Sequence, residues 1–197
     1  MPYGTYDPYQ IEIPEFCERA LIESGRRIEA YEQYALSATP LSTYLAHFRS
    51  LVRRYPEYEP EQILIDLIDK SGLPLKSWFS WARQCELYDL ALQCVTDGPI
   101  SPNTIATAAR DTLELHPEFA WEFSLLAIKY LLVDYLKFDD TDVRIAVRNL
   151  VIGAQNAESL PEAMVGLRKV LALRKHAQKV PYLVKDELGR LGLKLGK

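Results

Sequence analysis

Cysteine is scarce: Cys17, Cys85 and Cys94 are the only three in 197 residues, widely spaced. That excludes a disulfide framework and points to a reducing compartment. Histidine is equally sparse, with His47, His116 and His176 sixty or more residues apart. The close C-x₂-C or H-x₃-H pairs that zinc uses are missing, so neither a metal nor a cofactor is expected, and the cysteines read as small buried hydrophobes. The nine glycines are scattered, and no G-x-x-x-x-G-K-[ST] loop offers backbone amides to a phosphate. No G-x-S-x-G elbow and no Cys–His signature supplies a nucleophile with its base. The acidic run Asp139, Asp140, Asp142 lacks the spacing of a calcium loop and reads as the start of a capped helix. The chain is therefore expected not to be an enzyme.

Long apolar runs are also missing. The most apolar stretch, 123–136, is broken by Lys129 and Asp134, whereas a membrane span needs about 20 apolar residues. It is expected to be a buried helix, with no membrane contact. The opening residues carry no basic segment followed by an apolar one, so no secretory signal is read there and a cytoplasmic protein is expected.

What is present is a folded, helical pattern. Apolar residues make up 48% of the chain and charged ones 25%, ordinary proportions for a globular protein. Leu41, Tyr44, Leu45, Phe48, Leu51, Val52 and Tyr55 recur at helical spacing, and similar patterning continues through the chain. Pro-Glu recurs at 14–15, 56–57, 60–61, 117–118 and 161–162. Proline suits the first helical turn, and glutamate there meets the positive end of the helix dipole. The segmentation is 14–36, 40–55, 60–71, 75–85, 87–97, 102–115, 117–136, 141–156 and 160–178, with a shorter helix near 181–191. Gly72 and Gly98 stand at positions suited to C-caps. Alternation of the strand kind occurs only at 10–13. The helix from Pro117 carries apolar side chains on nearly every face, so it is expected to run through the centre, with Trp121 and Leu125 in the core.

The expected fold is all-α, built of stacked antiparallel helix hairpins in the manner of an α-solenoid, a divergent relative of tetratricopeptide and HEAT repeats. The tetratricopeptide pattern itself, tried on Trp78, Trp81 and Tyr88, does not continue downstream. Residues 1–13 read as an N-terminal arm and 14–197 as a single α-helical domain. Its first helices occupy 14–74, and a helical-repeat part with a basic C-terminal segment occupies 75–197.

Trp81-Ala82, Leu87 to Leu92, Thr104, Ala108 to Asp111, Pro117 to Ala120, Leu173 to His176 and Leu188 to Leu193 share one texture. Through them, residues 75–193 resemble the helical-repeat region that accompanies SWIM-type zinc fingers in some bacterial proteins. The resemblance implies an α-solenoid used for binding, with no activity of its own. The Cys-x-Cys motif of the finger is absent, so zinc does not carry over.

Charge is unevenly laid out. Residues 166–197 hold nine Lys/Arg against two acids, a net +7, while the rest of the chain is net −11. Arg168, Lys175 and Lys179 form a narrow stripe on the expected last long helix, with Lys169 and His176 beside it. Such a stripe contacts phosphates, docks on the acidic body or stays solvated. Tyrosine is the other concentration: eight of twelve lie within the first 58 residues. Tyr3, Tyr6 and Tyr9, in a segment without helical logic, offer the large amphipathic area that suits a binding surface. Tyr3, Tyr6, Tyr9, Arg168, Lys169, Lys175 and Lys179 are thus the candidate partner-binding residues. The expected function is non-catalytic binding, as an adaptor or inhibitor that occupies a surface of a partner protein. The alternative is contact with nucleic acid, or with a ribonucleoprotein, through the basic segment. That alternative extends to a mobile-element-encoded inhibitor of a bacterial defence complex, in the manner of an anti-CRISPR protein.

Overall fold

A computed structural model describes residues 9–36, 44–98, 100–133, 139–173 and 179–195, the side chains of 9–12, 44 and 133 excepted. Every regular element among them is helical. The chain divides into two compact units, Met1–Pro74 and Leu75–Lys197.

The first unit contains α1 (Tyr9–Glu23), α2 (Arg27–Ala30), α3 (Tyr44–Arg54) and α4 (Pro60–Ser71). The alternating residues 10–13 are helical, so the expected arm loses its last five residues to α1. Pro14 stands inside α1 rather than at its start, where it forfeits an intrahelical hydrogen bond. The single helix expected over 14–36 is interrupted at Ser24-Gly25. After α2 it runs into a π-helical turn, Tyr31–Ala35, which holds one extra residue per turn. Pro60 opens α4 at its first position, and Gly72 closes it with φ 64°, a left-handed conformation that only glycine adopts without steric cost. Leu51, Tyr55, Ile63 and Leu64 are fully buried, so the periodicity of both helices points inward as the sequence indicates.

The second unit begins with a 3₁₀ turn, Leu75–Trp78, followed by α5 (Phe79–Gln84), α6 (Tyr88–Asp97), α7 (Pro102–Thr112), α8 (Pro117–Val133), α9 (Asp140–Asn156), α10 (Leu160–Ala172) and α11 (Lys179–Arg190). Pro102, Pro117 and Pro161 each fall in the first turn of their helix. Asp139 caps α9: its carboxylate accepts from the Thr141 amide at 3.2 Å, while the Asp142 carboxylate accepts from the Asp139 amide at 3.0 Å. The acidic run is therefore a capping device at the start of α9, as the sequence indicates. Gly98 has an extended backbone, φ −178°, not the left-handed cap expected of it. Left-handed turns instead fall on Glu86 and Glu158, which carry no glycine signal.

α8 is the central helix of this unit and packs against α6, α7, α9 and α10. Phe123, Ala127 and Ile128 are fully buried, and Phe123 meets Phe79 edge to face at 5.7 Å. Trp121 and Leu125 are only half-buried, which corrects their placement in the core. α8 and α9 approach closely at Gly153, where an added Cβ would lie 2.9 Å from the Trp121 nitrogen and 3.1 Å from the Pro117 oxygen. Backbone atoms cannot swing aside as a side-chain tip can. Gly153→Ala is expected to destabilise by about 1–3 kcal/mol, read from urea unfolding. A loss below about 0.5 kcal/mol would show that the two helices separate easily there.

Candidate functional site

Three constellations of polar and aromatic residues stand out, and two of them are tied together by their own hydrogen bonds and ion pairs. In the first unit Glu18, 2% exposed, is held between α1 and α3. Arg54 Nη1 donates to Glu18 Oε2 and the Tyr55 hydroxyl donates to Oε1, both at 2.6 Å. The Tyr31 ring, on the π-helical turn, stacks on Tyr58 at 4.1 Å, and its hydroxyl donates to Asp66 Oδ2 at 2.6 Å. Arg27 lies over the Tyr55 ring, pairs with Glu57 at 3.0 Å and donates to the Arg54 carbonyl. Burial, reinforced by the Asp66 and Glu18 carboxylates, pushes the Tyr31 and Tyr55 hydroxyls well above the ordinary phenol range. Neither tyrosine supplies a base or a phenolate near neutrality. The cluster is a structural weld, and it absorbs three of the tyrosines concentrated near the N-terminus.

In the second unit α11 docks on α9 through acids, although the segment is basic overall. Glu187 accepts from Arg148 Nε at 2.5 Å and from Arg144 Nη1 at 2.9 Å, and Arg144 also reaches Asp186 at 2.7 Å. Val180, Leu183, Val184 and Leu188 lie buried alongside. Burial opposes ionisation of Glu187, but the hydrogen bonds from Arg148 and Arg144 outweigh it and hold the carboxyl below the usual glutamate range.

These environments set the acid response. His47 is 7% exposed, and its Nε2 has no hydrogen-bond partner among the described residues. Burial first, then the Arg54 charge, holds its pKa low, against a smaller opposing pull from Glu18 and a hydrogen bond with the Ala35 backbone. A depressed folded pKa means the unfolded chain takes up the proton first. Stability at His47 is therefore full above about pH 6.5 and declines as pH falls below it. The Glu187 contribution is full above about pH 4.3 and declines only below that. Acid titration is expected to show two windows. The imidazole signal of His47 should report the upper one. Tryptophan fluorescence, which arises only from Trp78, Trp81 and Trp121 of the second unit, should report the lower one. His47 titrating at or above 6.5 would contradict the first assignment.

The third constellation is open. Trp121 and Leu125 of α8 face Pro161, Glu162, Val165, Gly166 and Lys169 of α10 across a groove of about 410 Å³. Its floor is apolar and its edge carries one acid and one base, both exposed. Gly166 brings α10 close to the Leu125 side chain, 2.8 Å from where a Cβ would sit. The face of α10 opposite the groove, Ala163, Leu167 and Val170, is buried, as the periodicity indicates.

The candidate residues read from sequence are distributed unevenly around these features. Lys169 lies on the edge of the groove. Arg168 is exposed, and its Nε reaches the Met164 carbonyl at 3.4 Å. Lys179 opens α11 rather than continuing α10, so the single-helix stripe with Arg168 is not formed. Its Nζ pairs with Asp140 at 2.5 Å, a contact on the acidic body. Lys175, Tyr3 and Tyr6 lie outside the described residues, and Tyr9 begins α1. Trp121, Leu125, Pro161, Glu162, Val165 and Gly166 were not read as a site. The available signal was the 161, 162, 165, 166, 169 spacing, which shares one side of a helix and includes a mid-helix glycine.

Among the described residues no three His, Cys, Asp or Glu side chains come together as a metal-holding group, and no helix is long and apolar enough to cross a membrane. Fold and site together define an all-helical protein whose open feature is a groove. No family model, curated protein or solved structure matches the chain.

Proposed function

We propose that the chain is a non-catalytic binding protein, an adaptor or inhibitor that occupies a surface of a partner protein, and that the α8–α10 groove is where the partner docks. The observation that carries this reading is the groove itself. It has an apolar centre formed by Trp121, Leu125 and Val165 and a charged edge formed by Glu162 and Lys169, the anatomy of a protein interface. Consecutive helices α7, α8 and α9 pack as neighbours, which supports a stacked-hairpin, solenoid-like scaffold of the kind the SWIM-associated resemblance implies. The proposed setting is the bacterial cytoplasm.

The test is capture from a nuclease-treated lysate with the full chain as bait. A protein retained by the wild type and lost on Val165→Asp supports the reading. Retention of the same protein by Val165→Asp moves the interface off the groove. Material that disappears with nuclease, and depends on Arg168 and Lys169, would replace the reading with nucleic-acid contact through the basic segment.

A further inference from the structure

The groove side of α10 is complementary to itself. Glu162 and Lys169 are seven residues apart, about 10.5 Å along the axis at 1.5 Å per residue. Val165 and Gly166 stand midway between them. A second α10 laid antiparallel across this side, with a two-fold axis passing between Val165 and Gly166, sets Glu162 against Lys169 of the second copy and Lys169 against its Glu162. A parallel arrangement would set like charge against like. The same axis places the apolar centre, Val165 at 43% exposure, on its counterpart. Leu125, whose side chain lies 2.8 Å from where a Gly166 Cβ would sit, extends the apolar centre beside Val165. Each copy's α10 then lies in the other's groove against Trp121 and Leu125, so the contact closes on itself and generates no filament. Neither Glu162 nor Lys169 is drawn into an ion pair with another described residue.

We propose that the partner seated in the groove is a second copy of this chain, joined through an antiparallel α10–α10 contact. The inference rests on the reading of the groove as a protein-docking surface and names its occupant. Pairing through this side doubles every other surface the chain presents, so that a partner with two matching sites is held more tightly without any new contact.

Sedimentation equilibrium of the full chain tests this. The mass is expected to rise with concentration from 22.6 kDa to twice that value. Glu162→Lys and Lys169→Glu each place like charges together, twice over by symmetry, and each is expected to weaken association by about tenfold or more. The double variant Glu162→Lys/Lys169→Glu restores both pairs and is expected to recover association to within about threefold of the wild type. Val165→Asp is expected to abolish it, with helical circular dichroism unchanged. A dimer indifferent to these changes, or single variants that the double variant does not rescue, would overturn the proposal. A chain monomeric up to about 1 mM would overturn it too. If that monomer still captures a different protein in a Val165-dependent way, the docking role of the groove stands with another occupant. If it captures none, both readings fall.

Discussion

Phe123→Ala is expected to destabilise the protein by about 3–5 kcal/mol, a large share of the roughly 5–15 kcal/mol that separates folded from unfolded states. Phe123 is fully buried in α8, the helix on which α6, α7, α9 and α10 converge, and its ring packs edge to face on Phe79. Removing it leaves a void among elements that hold one another in place, so little collapse relieves it. Trp121→Ala, on the half-buried groove side of the same helix, is expected to cost much less, about 1–2 kcal/mol, because water fills the space the indole leaves. Urea unfolding of the two variants side by side is the measurement. Equal losses would mean that the groove side is as tightly packed as the core.

Glu18→Ala is expected to produce the second large loss, about 2–4 kcal/mol. The carboxylate accepts from Arg54 and from the Tyr55 hydroxyl. Tyr55 is fully buried and Arg54 Nε already lacks a partner among the described residues, so truncation strands the Tyr55 hydroxyl and Arg54 Nη1 at once. Arg54 is 36% exposed and can turn part of its charge to water, which keeps the expected loss below that of a fully enclosed pair. Glu18→Gln keeps an acceptor for Tyr55 and is expected to lose about half as much. A Glu18→Ala protein within about 0.5 kcal/mol of wild type would show that the cluster around Tyr31, Tyr55 and Tyr58 holds without its acid.

The groove illustrates what periodicity can and cannot rank. In α10, Ala163, Leu167 and Val170 repeat at helical spacing and are buried; that face was legible. In α8 nearly every face is apolar, so composition signals burial without saying which face a neighbour covers. The structure covers Phe123, Ala127 and Ile128 and leaves Trp121 and Leu125 at an opening. The basic stripe failed for a different reason. Arg168 and Lys179 share a stripe only if one helix carries both, and Lys179 instead starts α11 on an ion pair with Asp140.

Helix identity came from the sequence by itself, because the 3.6-residue apolar period, proline in first turns and the Asp139–Asp142 cap act within a few residues of chain. The same local chemistry placed α4, α6, α7, α8 and α9 to within a few residues of the bounds expected for them. Tertiary structure alone decided which partners those helices found. It converted Tyr31–Ala35 into a π-helical turn beside Asp66 and Tyr58, and seated the basic segment through its two acids. It also left α10 with an open side. Burial and ion pairing depend on groups tens of residues away in the chain, and no local pattern encodes where those groups come to rest.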